Sequence, residues 1–298
     1  MITSIVFSKN RPLQLDLCLS SIKKNLPECS QTIVIYKNSE DFIAAHETLE
    51  REHPDAQFWP QDLSLFRDTY QAAISADNDY INFLTDDDIV FMNIPVDYSL
   101  LKDSDIACLS LRMGLNVCYR GHGNSIQTED QLDAYLNMAH LATFGGDVNK
   151  LSAIHDDMML WKRTVKPYGS YWSYSLSLDG HVFDGPSIVE MLDELCYLEE
   201  RYSSRWKQTP NELEGALQRF WTTTPDFMIS PKHSRVVNSP NNKVQDTHNL
   251  NVSGEHHACD EKYLLGKYLN GSRINVDYLD FGNIGCPHTE IDILEGIV

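Results

Sequence analysis

Three consecutive aspartates, Asp86, Asp87 and Asp88, follow the run Tyr80-Ile81-Asn82-Phe83-Leu84-Thr85 and precede Ile89-Val90-Phe91. Three carboxylates at the end of a buried strand repel one another unless a cation or basic groups offset them. A divalent ion such as Mg2+ or Mn2+ does so most simply. It takes one or two carboxylates and leaves its other positions to water and substrate phosphates, so a nucleotide-diphosphate ligand suits the local chemistry. A solvated acidic turn is the alternative reading of the same residues. Neighbours in an extended segment alternate faces, so Asp86 and Asp88 are expected to share a side while Asp87 faces elsewhere.

Other residues offer complementary chemistry. Arg11, in the turn Ser8-Lys9-Asn10-Arg11-Pro12, is a cation that can pair with phosphate if that turn ends a strand. Lys243 lies in a polar stretch, 238–245, kinked by Pro240; it reads either as a lid whose lysine reaches a diphosphate or as an ordinary loop. In Asp179-Gly180 the glycine lets a ligand come close to the backbone and the acid can accept hydroxyl hydrogen bonds, although the pair is also a common turn signal. Tyr168, Tyr171, Trp172 and Tyr174 suit either a sugar-stacking face or a core. His256, His257, Cys259, Cys286 and His288 match no familiar zinc spacing.

Alternating strands and helices must position these groups. Residues 2–7, 32–36, 56–59 and 80–84 read as strands. Segments with helical periodicity separate them: Leu15, Leu19, Ile22 and Leu26 share one face, 40–52 forms a second helix, and 62–75 a third, with Asp62 as N-cap and Phe66, Tyr70, Ala73 and Ile74 inward. Such spacing predicts right-handed βαβ units in a Rossmann-like, doubly wound sheet with ligands outside the carboxyl ends of its strands. Further on, 106–111, 115–119 and 178–183 read as strands, and 131–140, 187–202, 211–221 and 262–269 as helices. The region beyond Pro225 is otherwise irregular. No linker or repeat divides the chain, so residues 1–298 are expected to form one α/β domain, with 1–120 as one half and 121–298 as the other.

Composition narrows the partners. Asp and Glu number 43 against 24 Lys and Arg, a formal charge of −19, which excludes a clustered basic surface for nucleic acid or anionic lipid. No apolar segment approaches membrane-spanning length, and seven dispersed cysteines without a Cys-x-x-Cys pair suit free thiols in a reducing, cytoplasmic setting.

Phe7-Ser8-Lys9-Asn10-Arg11-Pro12 with Leu15, Cys18, Leu19, Ser21 and Ile22, followed by Phe83-Leu84-Thr85-Asp86-Asp87-Asp88, resembles the nucleotide-sugar-binding half of GT-A glycosyltransferases, in particular family-2-like and exostosin-like members. The resemblance covers about residues 1 to 120 well and the remainder loosely. It implies a GT-A-like mixed sheet flanked by helices and an Mn2+- or Mg2+-dependent transfer of sugar from a UDP- or GDP-sugar to a saccharide or other hydroxyl acceptor. It places base and ribose at Phe7, Ser8, Arg11, Lys37 and Asn38, with Arg67 near the nucleotide unless it serves as a surface ion-pair partner. Asp88 would hold the metal, Asp86 the ribose or the metal through water, and Asp87 and Asp179 would face the sugar. His288 would complete the metal shell. Inverting relatives use a Glu-Asp pair at a helix start as base; here Pro210-Asn211-Glu212-Leu213-Glu214 departs from that pattern, leaving Glu212 and Glu214 as candidates, which the helix dipole also explains. Retaining relatives need no such base. A metal-dependent nucleotidyltransferase and a non-catalytic glycan-binding member are the competing readings; the first usually carries a glycine-rich phosphate loop, absent from Ser8-Lys9-Asn10-Arg11-Pro12.

Overall fold

The computed structural model describes residues 1–62, 64–77, 79–93, 95–117, 157–162, 174, 176–202, 209–220, 227–244, 253–282 and 284–298. The sequence-predicted helix 131–140, residues 118–119 of the predicted strand 115–119, and Tyr168, Tyr171, Trp172 and Gln245 lie outside these residues.

Strand β1 (Ile2–Ser8) is buried along its whole length, which explains its nearly continuous apolar run: a central parallel strand is covered on both faces. Helix α1 (Pro12–Asn25) starts with Pro12 in its first turn and ends with Lys23 and Lys24 in its last. Proline there lacks only an N–H that would be unpaired anyway, and the lysines oppose the negative helix end. The chain continues through β2 (Cys29–Tyr36), a 3-10 turn (Glu40–Phe42), α2 (Ile43–Glu52), β3 (Ala56–Pro60), α3 (Leu65–Ile74) and β4 (Tyr80–Thr85). Strands β3, β2, β1 and β4 are parallel neighbours in that order. Phe7 pairs with Ile35 on one side and Thr85 on the other, so the carboxyl ends of β1, β2 and β4 are level.

The sheet then turns mixed. β6 (Ile106–Ser110), β7 (Met158–Lys162), β8 (His181–Asp184) and β9 (Phe227–Pro231) complete eight strands in the order β3-β2-β1-β4-β8-β6-β9-β7. β8 is antiparallel to β4 and β6, β9 parallel to β6, and β7 antiparallel to β9. A separate pair joins β5 (Asp88–Val90) antiparallel to β10 (Val236–Asn238). Helices cover both faces: α3, α4 (Gly185–Tyr202) and α5 (Pro210–Phe220) contribute Phe66, Leu192 and Leu213 to one core cluster. Helices α1, α2 and α6 (Glu261–Leu269) contribute Leu15, Leu49 and Leu264 to the other. The fold is thus the expected Rossmann-like mixed α/β sheet with helices on both sides. No helix among the described residues is long and apolar enough to cross a membrane, and the six described cysteines form no disulfide among themselves.

Four local expectations are corrected, the first being that residues 115–117, read as the start of a strand, form a turn and its exit instead. Helix α3 is capped by Ser64, whose hydroxyl accepts from the Arg67 N–H at 3.2 Å, rather than by Asp62, so the helix starts later; Phe66 and Ala73 point inward as expected, but Ile74 is 48% exposed. The helix read over 40–52 begins as a 3-10 turn, because its first regular turn forms only at Ile43. The strand read over 178–183 is confined to His181–Asp184 because Gly180 takes a left-handed conformation with φ 78°. A methyl group at Gly180 would stand 3.0 Å from Val236 Cγ1. Gly180→Ala is therefore expected to cost about 1–3 kcal/mol, read as a lower urea midpoint; an unchanged midpoint would show that the turn relaxes freely.

Candidate active site

A cavity of about 330 Å³ opens at the carboxyl ends of β1, β2 and β4. Its first wall is the β1–α1 turn. Asn10 has φ 56°, in the left-handed region that asparagine tolerates better than most residues. Its amide N–H donates to Asn38 Oδ1, and its own Oδ1 accepts from the Ser39 N–H. This reciprocal bracket joins the β1 and β2 ends. Asn38 thereby supports the loop from behind, while Phe7, Ser8, Arg11 and Lys37 line the cavity.

The second wall is the aspartate turn. Asp86 Oδ2 accepts from Ser8 Oγ at 3.0 Å and from the Lys9 N–H at 2.9 Å, while Arg11 Nη1 donates to Asp86 Oδ1 at 2.9 Å and Asp87 Oδ2 at 2.8 Å. Burial raises the Asp86 carboxyl above its ordinary value; Arg11 opposes the shift. Burial alone would lower the Arg11 guanidinium, but the Asp87 and Asp86 carboxylates turn the net shift upward. The rest of the Arg11 fork grips the opposite wall, Nε donating to Asn242 Oδ1 at 2.7 Å and Nη2 to the Asn242 carbonyl.

Asp88 faces away. Its Oδ2 accepts from the Thr85 N–H at 2.8 Å and its Oδ1 from Asn238 Nδ2 at 3.1 Å, and it is fully buried outside the cavity lining. The expectation that Asp86 and Asp88 share a side fails because residues 86 and 87 form a turn between β4 and β5 rather than continuing an extended strand. Asp86 and Asp87 are the pair that line the cavity. Burial pushes the Asp88 carboxyl well up, with the Asp179 and Asp87 charges adding to it.

The third wall comes from the second half of the chain. Asp179 and His288 line the cavity, with His288 Nε2 3.8 Å from Asp179 Oδ2. Arg112 Nη1 donates to the same Asp179 oxygen at 2.8 Å. Behind Asp179, Glu214 Oε1 accepts from the Leu178 N–H at 3.0 Å. Burial, followed by the Asp179 charge, raises the Glu214 carboxyl from 4.5 to about 7. Neither Glu212 nor Glu214 lines the cavity, although Thr209, Pro210 and Asn211 just before them do. Arg67 also lies outside, paired with Glu200 across α3 and α4. Lys243 is exposed and on the lining.

The structure thus brings Phe7, Ser8, Arg11, Lys37, Asp86, Asp87, Asp179, Lys243 and His288 together and leaves Asn38, Arg67, Asp88, Glu212 and Glu214 behind or beside them. It adds Arg112, Asn238 and Asn242, which sequence reasoning did not single out. Arg112 had a usable signal: a charge directly after an apolar strand requires a partner once buried. The raised Glu214 carboxyl has a consequence for stability. The folded state keeps that proton to about pH 7 whereas the unfolded chain releases it near 4.5, so stability is full below 4.5 and falls as pH rises through 7. Glu214→Gln is expected to flatten this fall in urea denaturation curves recorded across that range; an unchanged slope would contradict it.

Among the described residues no group of three or more His, Cys, Asp or Glu side chains is disposed to hold a metal ion. The donors that do line the cavity are Asp86, Asp87, Asp179 and His288.

No family model matches the chain, and no curated protein does. Among solved structures it is similar to S. aureus TarS, at 14% identity over 64% of this chain and 29% of that one, TM-score 0.37. The structure of TarS 1–349 is similar at 14% identity over 79% of this chain and 59% of that one, TM-score 0.39. TarS 1–349 in complex with UDP is similar at 13% identity over 90% and 70%, TM-score 0.40. This chain spans less than two thirds of the length of the first two.

Proposed function

We propose that the cavity binds a nucleoside-diphosphate sugar, UDP- or GDP-linked, together with Mn2+ or Mg2+, and transfers the sugar to an acceptor hydroxyl. The observation that carries this reading is the convergence of Arg11, Lys37 and Lys243 with Asp86, Asp87, Asp179 and His288 on one cavity at the ends of parallel strands. That is where open α/β sheets bind ligands.

The charges favour a cation. Around the cavity stand the carboxylates of Asp86, Asp87, Asp88, Asp179 and Glu214, against the guanidinium groups of Arg11 and Arg112 beside them and the exposed lysines Lys9, Lys37 and Lys243 on the lining. Burial leaves Asp86, Asp88, Asp179 and Glu214 all with raised carboxyl values. A divalent ion would relieve that excess, held by one or two carboxylates with the remaining positions given to diphosphate and water. Asp179 and His288 are the residues that would hold it, with Asp87 on the facing wall. When bound, the ion supplies positive charge where the diphosphate leaves.

The chain's own residues bind and orient. Phe7, Ile35 and Leu65, with Gln61, give the lining apolar and amide surface suited to a base. Lys37 and Lys243 provide the exposed positive charge that an acidic protein needs at the mouth of an anion site. Glu212 and Glu214 sit behind the lining, where Glu214 accepts from the Leu178 N–H next to Asp179 instead of touching the acceptor.

The test is release of free nucleoside diphosphate from a panel of nucleotide sugars, with and without EDTA. Turnover with at least one donor, lost in EDTA and restored by Mn2+, is expected. Absence of turnover with the whole panel, combined with no thermal stabilisation by UDP or GDP in Mn2+, would overturn the proposal.

A further inference from the structure

Glu290 is a carboxylate near the C-terminus whose two oxygens accept from main-chain amides. Its Oε1 accepts from the Glu255 N–H at 2.7 Å, and its Oε2 from the His256 and His257 N–H groups at 2.8 Å each. Three successive N–H groups turned to one side form a concave seat for an anion. Bonds from such groups to an ionised acceptor are about twice as strong as those to a neutral one. Burial works to raise the Glu290 carboxyl, but the three N–H bonds hold it below its ordinary value, so the clamp is ionised at neutral pH.

The segment so clamped belongs to the cavity. Ser253 lines it, as do Pro240, Asn242, Lys243 and Val244 on the neighbouring segment. Gly254 takes a left-handed conformation with φ 69°, and its N–H donates to the Pro240 carbonyl at 2.9 Å. The Cys259 N–H donates to the Asn241 carbonyl at 3.0 Å. Asn241, with 1% of its surface exposed, joins the segments through its side chain. Its Nδ2 donates to the His257 carbonyl at 3.0 Å and to the Ile291 carbonyl at 2.8 Å, and its Oδ1 accepts from Ser239 Oγ at 2.9 Å. That arrangement needs the 257 and 291 carbonyls side by side, and Glu290 is the residue that draws their two segments together. If the clamp opens, a buried amide donor loses its partner, which makes Asn241 costly to keep in place. A further contact between the same segments, His257 Nδ1 to Asp292 Oδ2 at 3.4 Å, joins two exposed side chains and contributes little.

We infer that Glu290 is a positioning residue for the ligand cavity. By clamping residues 255–257 it holds Ser253 and the segment 240–244 as the wall opposite the β1–α1 turn, and so sets the affinity for nucleoside diphosphate without touching it. Arg11 grips that wall from the front at Asn242, and Glu290, which is not on the lining, secures it from behind through Asn241 and Gly254. The inference rests on the nucleotide-binding reading of the cavity, but its first test does not.

Amide hydrogen exchange in the whole, ligand-free chain reads the clamp residue by residue. Glu290→Ala is expected to speed exchange at Glu255, His256 and His257 and, one step further, at Gly254 and Cys259, whose N–H groups bond the 240–244 segment. Glu290→Gln keeps one acceptor oxygen but turns an NH2 group towards N–H donors, so its effect should lie between alanine and wild type. Affinity for whichever of UDP and GDP the wild type binds in Mn2+, measured by calorimetry well below the unfolding temperature, should be about 2- to 30-fold weaker in Glu290→Ala. A role confined to stability would lower the urea midpoint and leave the affinity of folded molecules unchanged. Exchange at Gly254 and Cys259 no faster than in the wild type overturns the inference, and so does faster exchange with unchanged affinity. Should Glu290→Ala fail to fold, Glu290→Gln decides by the same two readouts. A wild type that binds neither nucleotide overturns the proposed function together with this inference, whereas wild-type binding with unchanged variant affinity overturns this inference alone.

Discussion

Replacing Arg11 with methionine is expected to lower the unfolding free energy by about 3–5 kcal/mol at neutral pH. The guanidinium side chain is 8% exposed, and the Asp86 and Asp87 side chains it pairs with are 4% and 10% exposed. Methionine fills similar space, so the loss is mainly of charge, and two buried carboxylates would remain without their cation. Removing one partner of such a pair costs much more than the pair itself contributes, because the survivors stay desolvated. Arg11→Met also deletes both of its bonds to Asn242, leaving the segment 239–244 tied to the β1 end only through the Lys9 side chain, which donates to the Val244 carbonyl, and to α1 through Gln14. Lysine keeps the charge but cannot reproduce the planar fork that reaches Asp86, Asp87 and Asn242 together, so Arg11→Lys should fall between methionine and wild type.

The pH dependence of that loss has a definite sign. Burial already raises the Asp86 carboxyl, and Arg11 works against that rise. Without Arg11 the folded-state value climbs further, so the folded variant takes up a proton before the unfolded chain does. The deficit is therefore greatest near neutrality and shrinks as pH falls towards the ordinary carboxylate range. Urea denaturation at several pH values reads this directly. A cost below about 1 kcal/mol at neutral pH, typical of exposed ion pairs, would mean that Arg11 is not the cation holding the aspartate turn.

What could be read from the sequence follows from the range of the interactions involved. The level ends of β1, β2 and β4 are legible because each strand is a short apolar run bounded by polar residues, with a helical face after β1 and β2 and before β4, all local signals. Arg11 and the aspartates followed from being placed at those ends. Asp88 was misdirected because the alternation rule holds only while the chain stays extended, and two residues of turn suffice to break it. Arg67 and Glu212 share a different difficulty: their positions on helix first turns are visible, but their direction relative to a cavity depends on how α3 and α5 pack against α4. The aspartate partners of Asn238 and the Arg11 partner of Asn242 lie 150 residues or more away in the sequence, and the His288 partner of Asn238 lies 50 away. No local pattern encodes such a pairing, and asparagine in a polar, proline-kinked stretch looks the same whether or not it is buried. The cavity is therefore half legible. Its wall from the first half arises from local βα punctuation, and its wall from the second half arises from tertiary closure.

Arg112 concentrates that second kind of information, and Arg112→Leu is expected to cost about 3–5 kcal/mol at neutral pH. Its side chain is 2% exposed and donates to Asp179 Oδ2 at 2.8 Å. It also opposes the rise of both Asp179, which burial and the Asp87 charge push upward, and Glu214, which burial and the Asp179 charge push upward. Leucine would leave those two acids facing each other with neither offset. In the wild type the Glu214 carboxyl loses its proton near pH 7; without Arg112 its value rises further, so the decline of stability with pH should extend to more alkaline conditions. The double replacement Arg112→Leu with Asp179→Asn removes the orphaned charge as well as its partner. It should recover part of the loss, with a coupling of about 0.5–3 kcal/mol between the two positions. If the double variant is no more stable than Arg112→Leu alone, the cost lies in packing around residue 112, not in charge. Recovery of stability without recovery of nucleotide-sugar turnover is the expected combined outcome, because asparagine in place of Asp179 would leave the fold intact while removing the carboxylate that faces His288. That separation between stability and turnover distinguishes an ion pair that holds the wall of the cavity from one that merely fills it.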